Sequence, residues 1–281
     1  MTTMDKIRES VSKTYTKAVR GSGGCCVPTC CDDVMAIPKG EAAKVAGYGD
    51  DELGSLPADA VENAFGCGNP LAFSGVQEGD VVVDLGSGAG IDLLLASERV
   101  GASGKVIGVD MTDAMIERAR ANVAEAGADN VEVRKGLIED LPIEDRSVDW
   151  VISNCVINLS PEKPRVFAEI ARVLKPGGHA SISDIVVEDL PDDLRKMQSL
   201  YDSCIAGSID ESSYLDGLAA AGLTDVEVTD RLVYERDQIA RLLGSELPEP
   251  LQGFADSIAD RVAGKVWSAK VKAVKPDDDA G

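Results

Sequence analysis

The chain has 281 residues, 44% of them hydrophobic, which excludes disorder throughout and suits one large globular core. Its 49 acidic residues against 28 basic ones leave a formal charge of −21, which repels phosphate backbones and anionic lipid and argues against nucleic acid and membrane surfaces as partners. Self-repulsion of this size is screened over about 3 Å in molar salt, so the composition predicts a salt-rich cytoplasm, an acidic surface kept for solubility being the alternative.

No apolar run reaches the ~18 residues of a membrane span, and the first residues, MTTMDKIRESVSKTYTKAVR, are polar and helical in period rather than signal-like. The expectation is a cytoplasmic monomer. Its seven cysteines are odd in number, and a cytosolic setting keeps thiols mostly reduced. Thiolate ligands or redox chemistry are expected in place of a disulfide framework, with one or two transient disulfides left open.

Residues 1–20 read as an amphipathic helix, and 21–33, GSGGCCVPTCCDD, as a turn-rich stretch. Short helices are expected over 37–63, with breaks at 47–50 and at Pro57. From Asp80 apolar strands alternate with amphipathic helices, a pattern that calls for a parallel sheet covered on both faces. The strands are placed at 81–85, 105–110, 131–135, 148–154 and 179–187. The helices between them fall at 90–100, 112–126 and 163–174, the last ended by Pro176 with Gly177 and Gly178. A later helix, 212–221, ends at Gly222 and leads into a strand at 226–232. Beyond Glu235 the reading is helices at 238–243 and 251–262 and a disordered acidic tail from 275 to 281. The fold class is α/β: a doubly wound, mainly parallel Rossmann-like sheet (75–235) with an N-terminal helical cap carrying a cysteine-rich loop (1–74) and a C-terminal extension (236–281).

Residues 84–90, DLGSGAG, form a glycine-rich turn between an apolar strand and a helix, where missing side chains let the backbone approach a nucleotide. Such a turn alone is weak evidence. Asp110, at the end of the second strand, is placed to accept hydrogen bonds from ribose hydroxyls, or else to cap the next helix as Thr112 or Asp113 would. After the third strand, GLIEDLP offers Ile138 to sandwich an adenine and Glu139 to meet its amino group; a solvated connector is the bland alternative.

These segments, with VLKPGG before the fifth strand, resemble the class I S-adenosylmethionine-dependent methyltransferases. The resemblance implies that Asp84, Gly86, Ser87, Gly88, Asp110, Met111, Ile138, Glu139 and Asn154 bind S-adenosylmethionine, Asn154 being nearly as well read as a structural amide. A narrower resemblance is carried by GCGNPLA (66–72), GVDMT (108–112), SNCVINLSPEK (153–163) and CIAGS (204–208), which look like the arsenite methyltransferase family. It implies that Cys67, Cys155 and Cys204 bind trivalent arsenic and serve catalysis, that arsenite and methylated trivalent arsenicals are substrates in a detoxifying reaction, that a thiol reductant such as thioredoxin or a small thiol is a partner, and that an upstream cysteine pairs transiently with Cys67.

Three converging thiolates suit a soft lone-pair ion and discriminate against hard cations. Zinc is the rival ligand, though no CxxC knuckle joins the three. Cys25, Cys26, Cys30 and Cys31 form a second cluster suited to arsenic capture or to redox exchange. Two other readings stay open: methylation of a small organic molecule such as a quinone or sterol, and a thiol-rich protein that binds arsenite without catalysis. His179, Trp150 and Trp267 read as structural.

Overall fold

The computed structural model describes residues 2–20, 41–197, 201, 204–240 and 254–278. Seven strands form one sheet in the order β3-β2-β1-β4-β5-β7-β6. They are β1 (Val81–Leu85), β2 (Lys105–Asp110), β3 (Val131–Lys135), β4 (Val148–Asn154), β5 (Leu174–Val187), β6 (Thr224–Val233) and β7 (Val266–Val274). The first five are parallel, and β7 runs antiparallel to both β5 and β6. This is the expected fold class, and the first four strands coincide with their sequence-derived bounds.

Nearly continuous apolar runs such as VVVDL are buried on both faces, which is why they read so plainly. Chain order reverses between β1 and β4, where Asp84 pairs with Gly108 on one side and Ile152 on the other. At such a switch point the loops on either side splay apart and leave a crevice at the carboxyl ends of the strands.

The helices are α1 (Thr3–Arg20), α2 (Glu41–Val45), α3 (Asp50–Gly54), α4 (Ala58–Glu62), α5 (Ile91–Val100), α6 (Asp113–Ala126), α7 (Lys163–Val173) and α8 (Asp192–Arg195), followed by helices Glu211–Ala220 and Ala255–Val262. Helix α1 lies against α6, its buried Val19 packing with Ala114 and Met115. The cap therefore reaches across the crevice.

Three expectations are corrected. Helix α7 stops at Val173, and β5 starts at Leu174, five residues before the expected strand start at His179. Pro176 forces the residue before it out of the helical region, and the glycines continue the strand: Gly177 N–H donates to the Lys275 carbonyl. Second, the region read as an extension supplies β7, inserted between β5 and β6. Lys270 and Lys272 take the half-exposed positions between buried Ala269, Val271 and Ala273, a short polar-apolar alternation, and the strand's two partners lie far away in sequence. Third, the start of the expected disordered tail is held. Lys275 N–H donates to the Gly178 carbonyl, its Nζ donates to the Ala171 carbonyl at 2.7 Å, and Arg146 pairs with Asp278. The helix expected at 238–243 is described only as far as Ala240, and 251–253 and 279–281 lie outside the described residues.

Candidate active site

The crevice at the switch point is a cavity that all nine residues expected at the cofactor line: Asp84, Gly86, Ser87, Gly88, Asp110, Met111, Ile138, Glu139 and Asn154. Gly86, Gly88 and Gly90 have φ of +66°, +52° and +96°, so the turn folds through a backbone region that other residues enter at a cost. A Cβ on Gly86 would stand 2.4 Å from a Val156 methyl, so the loop also packs too tightly for a side chain. Asp110 Oδ2 accepts from Gly88 N–H at 3.0 Å and Oδ1 from Thr112 N–H at 2.8 Å, which ties the loop to β2. The residues fit a cationic nucleoside cofactor: four carboxyls, Asp84, Asp92, Asp110 and Glu139, are buried around the cavity, and the buried Ser87 hydroxyl has no hydrogen-bond partner among the described residues.

Asn154 and Glu139 do more than line the cavity. Asn154 Oδ1 accepts from the N–H groups of Cys67 (3.0 Å) and Gly68 (3.2 Å), and its Nδ2 donates to the Gly68 carbonyl (2.6 Å), Tyr48 Oη (2.9 Å) and Asp92 Oδ2 (3.1 Å). The amide thus clamps the GCGN loop onto the end of β4, and a Cβ on Gly66 would lie 2.2 Å from its nitrogen. Glu139 Oε1 accepts from Arg8 Nε (3.1 Å), Arg8 Nη2 (3.0 Å) and Ser160 Oγ (2.7 Å), and Arg8 also pairs with Glu162. Glu139, expected at an adenine amino group, anchors α1 over the cavity.

The three expected ligand cysteines come together. Cys155 follows directly after β4 and lines the cavity, and Cys67 and Cys155 are joined by a disulfide with Cα atoms 5.8 Å apart. Cys204 Sγ donates to the Cys155 carbonyl at 3.0 Å, and all three belong to one buried apolar cluster with Val11, Leu159, Ile185 and Tyr234. Sequence reasoning expected Cys67 and Cys155 as reduced ligands and an upstream cysteine as the partner of Cys67. In the structure the clamp on the GCGN loop brings Cys67 against the end of β4, where it is bonded to Cys155; its transient pairing with an upstream cysteine stays an expectation. Cys25, Cys26, Cys30 and Cys31 lie outside the described residues. Cys155 and Cys204 have φ of +58° and +64°, a region that costs a non-glycine residue about 1–2 kcal/mol and survives where surrounding structure imposes it.

Two buried carboxyls, Asp92 and Asp184, escaped the sequence reading. Burial, and then the charges of Asp92 and Asp110, push the Asp84 carboxyl well above the ordinary range; burial also raises Asp110, and burial with the nearby charge of Glu52 takes Asp92 up to about 6, against the hydrogen bonds from Asn154 and Tyr48. Beside the cysteines, Asp184 accepts from Asn158 Nδ2 (2.9 Å), Ile185 N–H (2.9 Å), Asn158 N–H (3.2 Å) and Tyr214 Oη (3.2 Å). Burial raises it to about 7, against the pull of nearby Lys163, and burial lowers Lys163 to about 8.

These carboxyls ionise in the folded chain above their ordinary value of 3.8. The stability they contribute is therefore complete below about pH 4 and is lost as pH rises through about 6 and 7. Exposed Asp193 works oppositely, held down at about 2 by Arg261, and loses its contribution only in strong acid. Calorimetry at fixed ionic strength should therefore find the ligand-free chain melting higher at about pH 6 than at about pH 8. A flat or rising profile across that window would contradict this account of the buried carboxyls.

Residues 77–235 match the protein family described as "Methyltransferase domain". Over 263 residues, 93% of its length, the chain is 41% identical to an arsenite methyltransferase of Halobacterium salinarum, of which it spans 61%. It is 35% identical to the arsenite methyltransferase of Aquipseudomonas alcaligenes, the match covering 87% of this chain and 68% of that protein. Among solved structures it superposes with a TM-score of 0.65 on an arsenic (III) S-adenosylmethionine methyltransferase from Chlamydomonas reinhardtii, at 33% identity over 82% of this chain and 73% of the other. With DLGSGAG at the switch point and thiols beside it, the chain belongs to the arsenite methyltransferase family of S-adenosylmethionine-dependent methyltransferases.

Proposed function

We propose that this chain transfers methyl groups from S-adenosylmethionine to trivalent arsenic held by the thiolates of Cys67, Cys155 and Cys204, producing methylated arsenicals as a detoxification step in the cytoplasm, and that it acts as a monomer. One observation carries the reading: Cys155 lines the cofactor cavity, with the Cys67 sulfur bonded to its own. Bound there, the cofactor would supply an electrophilic methyl for attack by the arsenic lone pair, the sulfonium carbon–sulfur bond breaking to leave S-adenosylhomocysteine.

The chain's own groups do the rest. Asp84, Asp92 and Asp110 place negative charge around a cationic ligand. Val11, Met111 and Leu159 keep water away from the thiolates and shorten the search for reacting geometry. Methylation spends the arsenic lone pair and so formally oxidises trivalent arsenic to the pentavalent state, a loss of two electrons. Cys67 and Cys155 can return those two electrons by joining as the disulfide, releasing trivalent product, and an external dithiol restores the pair by exchange. Cys25, Cys26, Cys30 and Cys31 are proposed as the thiols that capture arsenic or relay this exchange.

Incubation with arsenite, cofactor and a dithiol, followed by mass spectrometry of arsenic species, should yield methylated arsenicals and S-adenosylhomocysteine in step. Folded, cofactor-binding protein that makes neither would refute the proposal.

A further inference from the structure

The Asn154 amide that holds the GCGN loop is itself held. Tyr48, between α2 and α3 of the cap, donates its hydroxyl hydrogen to Asp92 Oδ1 at 2.8 Å. A phenol has one hydrogen, so the Tyr48 oxygen meets Asn154 Nδ2 as an acceptor, at 2.9 Å. Asp92, in the first turn of α5, takes the same nitrogen on Oδ2 at 3.1 Å. Burial raises its carboxyl to about 6, so at about pH 8 it is ionised and only accepts. Tyr48 and Asp92 are both buried. The amide therefore has one workable orientation, nitrogen toward Tyr48 and Asp92 and oxygen toward the N–H groups of Cys67 (3.0 Å) and Gly68 (3.2 Å). Turned over, it would set its oxygen against a carboxylate and its nitrogen against two donors.

Both cysteines are thereby pinned through the backbone. Cys155 follows Asn154 in the chain and its N–H donates to the Ser183 carbonyl at 2.8 Å, while Cys67 N–H donates to the Asn154 amide. The glycines flanking Cys67 permit this approach: a Cβ on Gly66 would overlap the Asn154 amide, and one on Gly68 would stand 2.5 Å from Ser183 Oγ. None of these bonds requires the two sulfurs to be joined.

We infer that Tyr48 and Asp92 are positioning residues for the Cys67 thiol, orienting Asn154 so that the GCGN loop stays against the end of β4 after the Cys67–Cys155 disulfide is reduced. Tyr48 acts from behind the site, since it is not among the residues that line the cavity. A loop ordered in advance presents a soft substrate with a ready pair of thiols, and its ordering entropy is not charged against binding. The bearing on arsenic rests on the proposed function. The geometry of the reduced thiols does not, and it is measured with neither arsenite nor cofactor present, so that failure here leaves the methyltransferase proposal standing.

The test uses the full chain with Cys25→Ser, Cys26→Ser, Cys30→Ser and Cys31→Ser, equilibrated at about pH 8 with set ratios of reduced and oxidised dithiothreitol. The protein disulfide forms as the cyclic dithiothreitol disulfide takes up the two thiol hydrogens and opens. Acid quenching, alkylation and mass spectrometry of peptides identify the Cys67–Cys155 bond and give its equilibrium constant. Tyr48→Phe, which removes one oxygen from a ring packed in the core, should lower that constant at least ~10-fold, a rise of about 30 mV in reduction potential. Tyr234→Phe, inside the apolar cluster that holds the cysteines, should change it by less than about threefold, because general softening that leaves both redox forms folded does not move this equilibrium. An unchanged constant in folded Tyr48→Phe, or an equal fall in Tyr234→Phe, overturns the assignment. Should Tyr48→Phe fail to fold, hydrogen exchange of the reduced parent by NMR decides: protection of the Cys67 and Gly68 N–H groups by ~30-fold or more over an unstructured chain supports the clamp, and any lesser protection overturns it.

Discussion

Cys155→Ser is expected to lower arsenite methylation on the order of 1000-fold, the upper range for losing one group that acts directly on the reacting centre, while cofactor affinity stays within about threefold. Serine has nearly the shape of cysteine and no greater objection to the backbone at φ +58°, and the Cys155 N–H bond to the Ser183 carbonyl at 2.8 Å involves no side chain. What changes is the donor: a hard, fully protonated hydroxyl replaces a polarisable thiolate. Asp84, Ser87 and Asp110, which line the cavity, are untouched.

Cys204→Ser should fall in the same direction, its hydroxyl able to keep the bond to the Cys155 carbonyl. Both variants must be compared with the parent under reducing conditions, because the disulfide spans 88 residues and loop closure of that length stabilises the oxidised parent by about 4.6 kcal/mol. Product analysis alongside cofactor calorimetry reads the two effects separately. Parental turnover in either variant would remove arsenic from these thiols.

The parts of this molecule that announce themselves in the sequence are those set by local rules. VVVDL and KVIGVD are apolar because strands buried on both faces must be, and DLGSGAG breaks helical and strand geometry with glycine where the chain has to turn at the switch point. The cofactor lining follows from these, since each of its residues sits at or just beyond a strand end. What stays hidden depends on distant partners. Asp92 looks like an ordinary helix-start carboxylate until Tyr48 and Asn154 close over it, and Asp184 looks like a polar residue in a strand until Tyr214 and Lys163 arrive. Arg8 sits in a polar helix, and nothing nearby in sequence indicates that its guanidinium reaches Glu139. Likewise the three cysteines can be read as a set, whereas the choice of Cys155 as the partner of Cys67 depends on where Asn154 holds the GCGN loop. Strand β7, which the sequence reading left unassigned, is hidden for the same reason: its pattern gains meaning only when β5 and β6 pair with it.

Lowering salt should unfold this protein. At a formal charge of −21, repulsion between surface carboxylates reaches about 10 Å at ~0.1 M salt and about 3 Å near 1 M, so molar salt silences most pairs that dilute buffer leaves active. The ion pairs do not offset this. Those such as Arg236 with Asp256 and Asp260, or Lys135 with Asp113, are exposed at one or both ends, and an exposed pair contributes about 0–1 kcal/mol, less in salt. The crevice compounds the deficit: Asp84, Asp92 and Asp110 crowd around the switch point, and with the cavity free of a cationic ligand their mutual repulsion falls on the carboxyl ends of β1 and β2. Cofactor binding should therefore replace part of the salt requirement.

The measurement is the melting temperature in potassium chloride from about 0.1 to about 2 M, with and without S-adenosylmethionine. A rise of roughly 10 °C or more is expected, flattening once the screening length falls below the spacing of surface charges, and smaller when the cofactor is bound. Sucrose at matched water activity separates screening from solute exclusion, since an uncharged solute leaves the repulsion in place. Equal melting temperatures across the salt series, or an equal gain in sucrose, would mean that the acidic surface serves solubility and that the fold does not depend on screening.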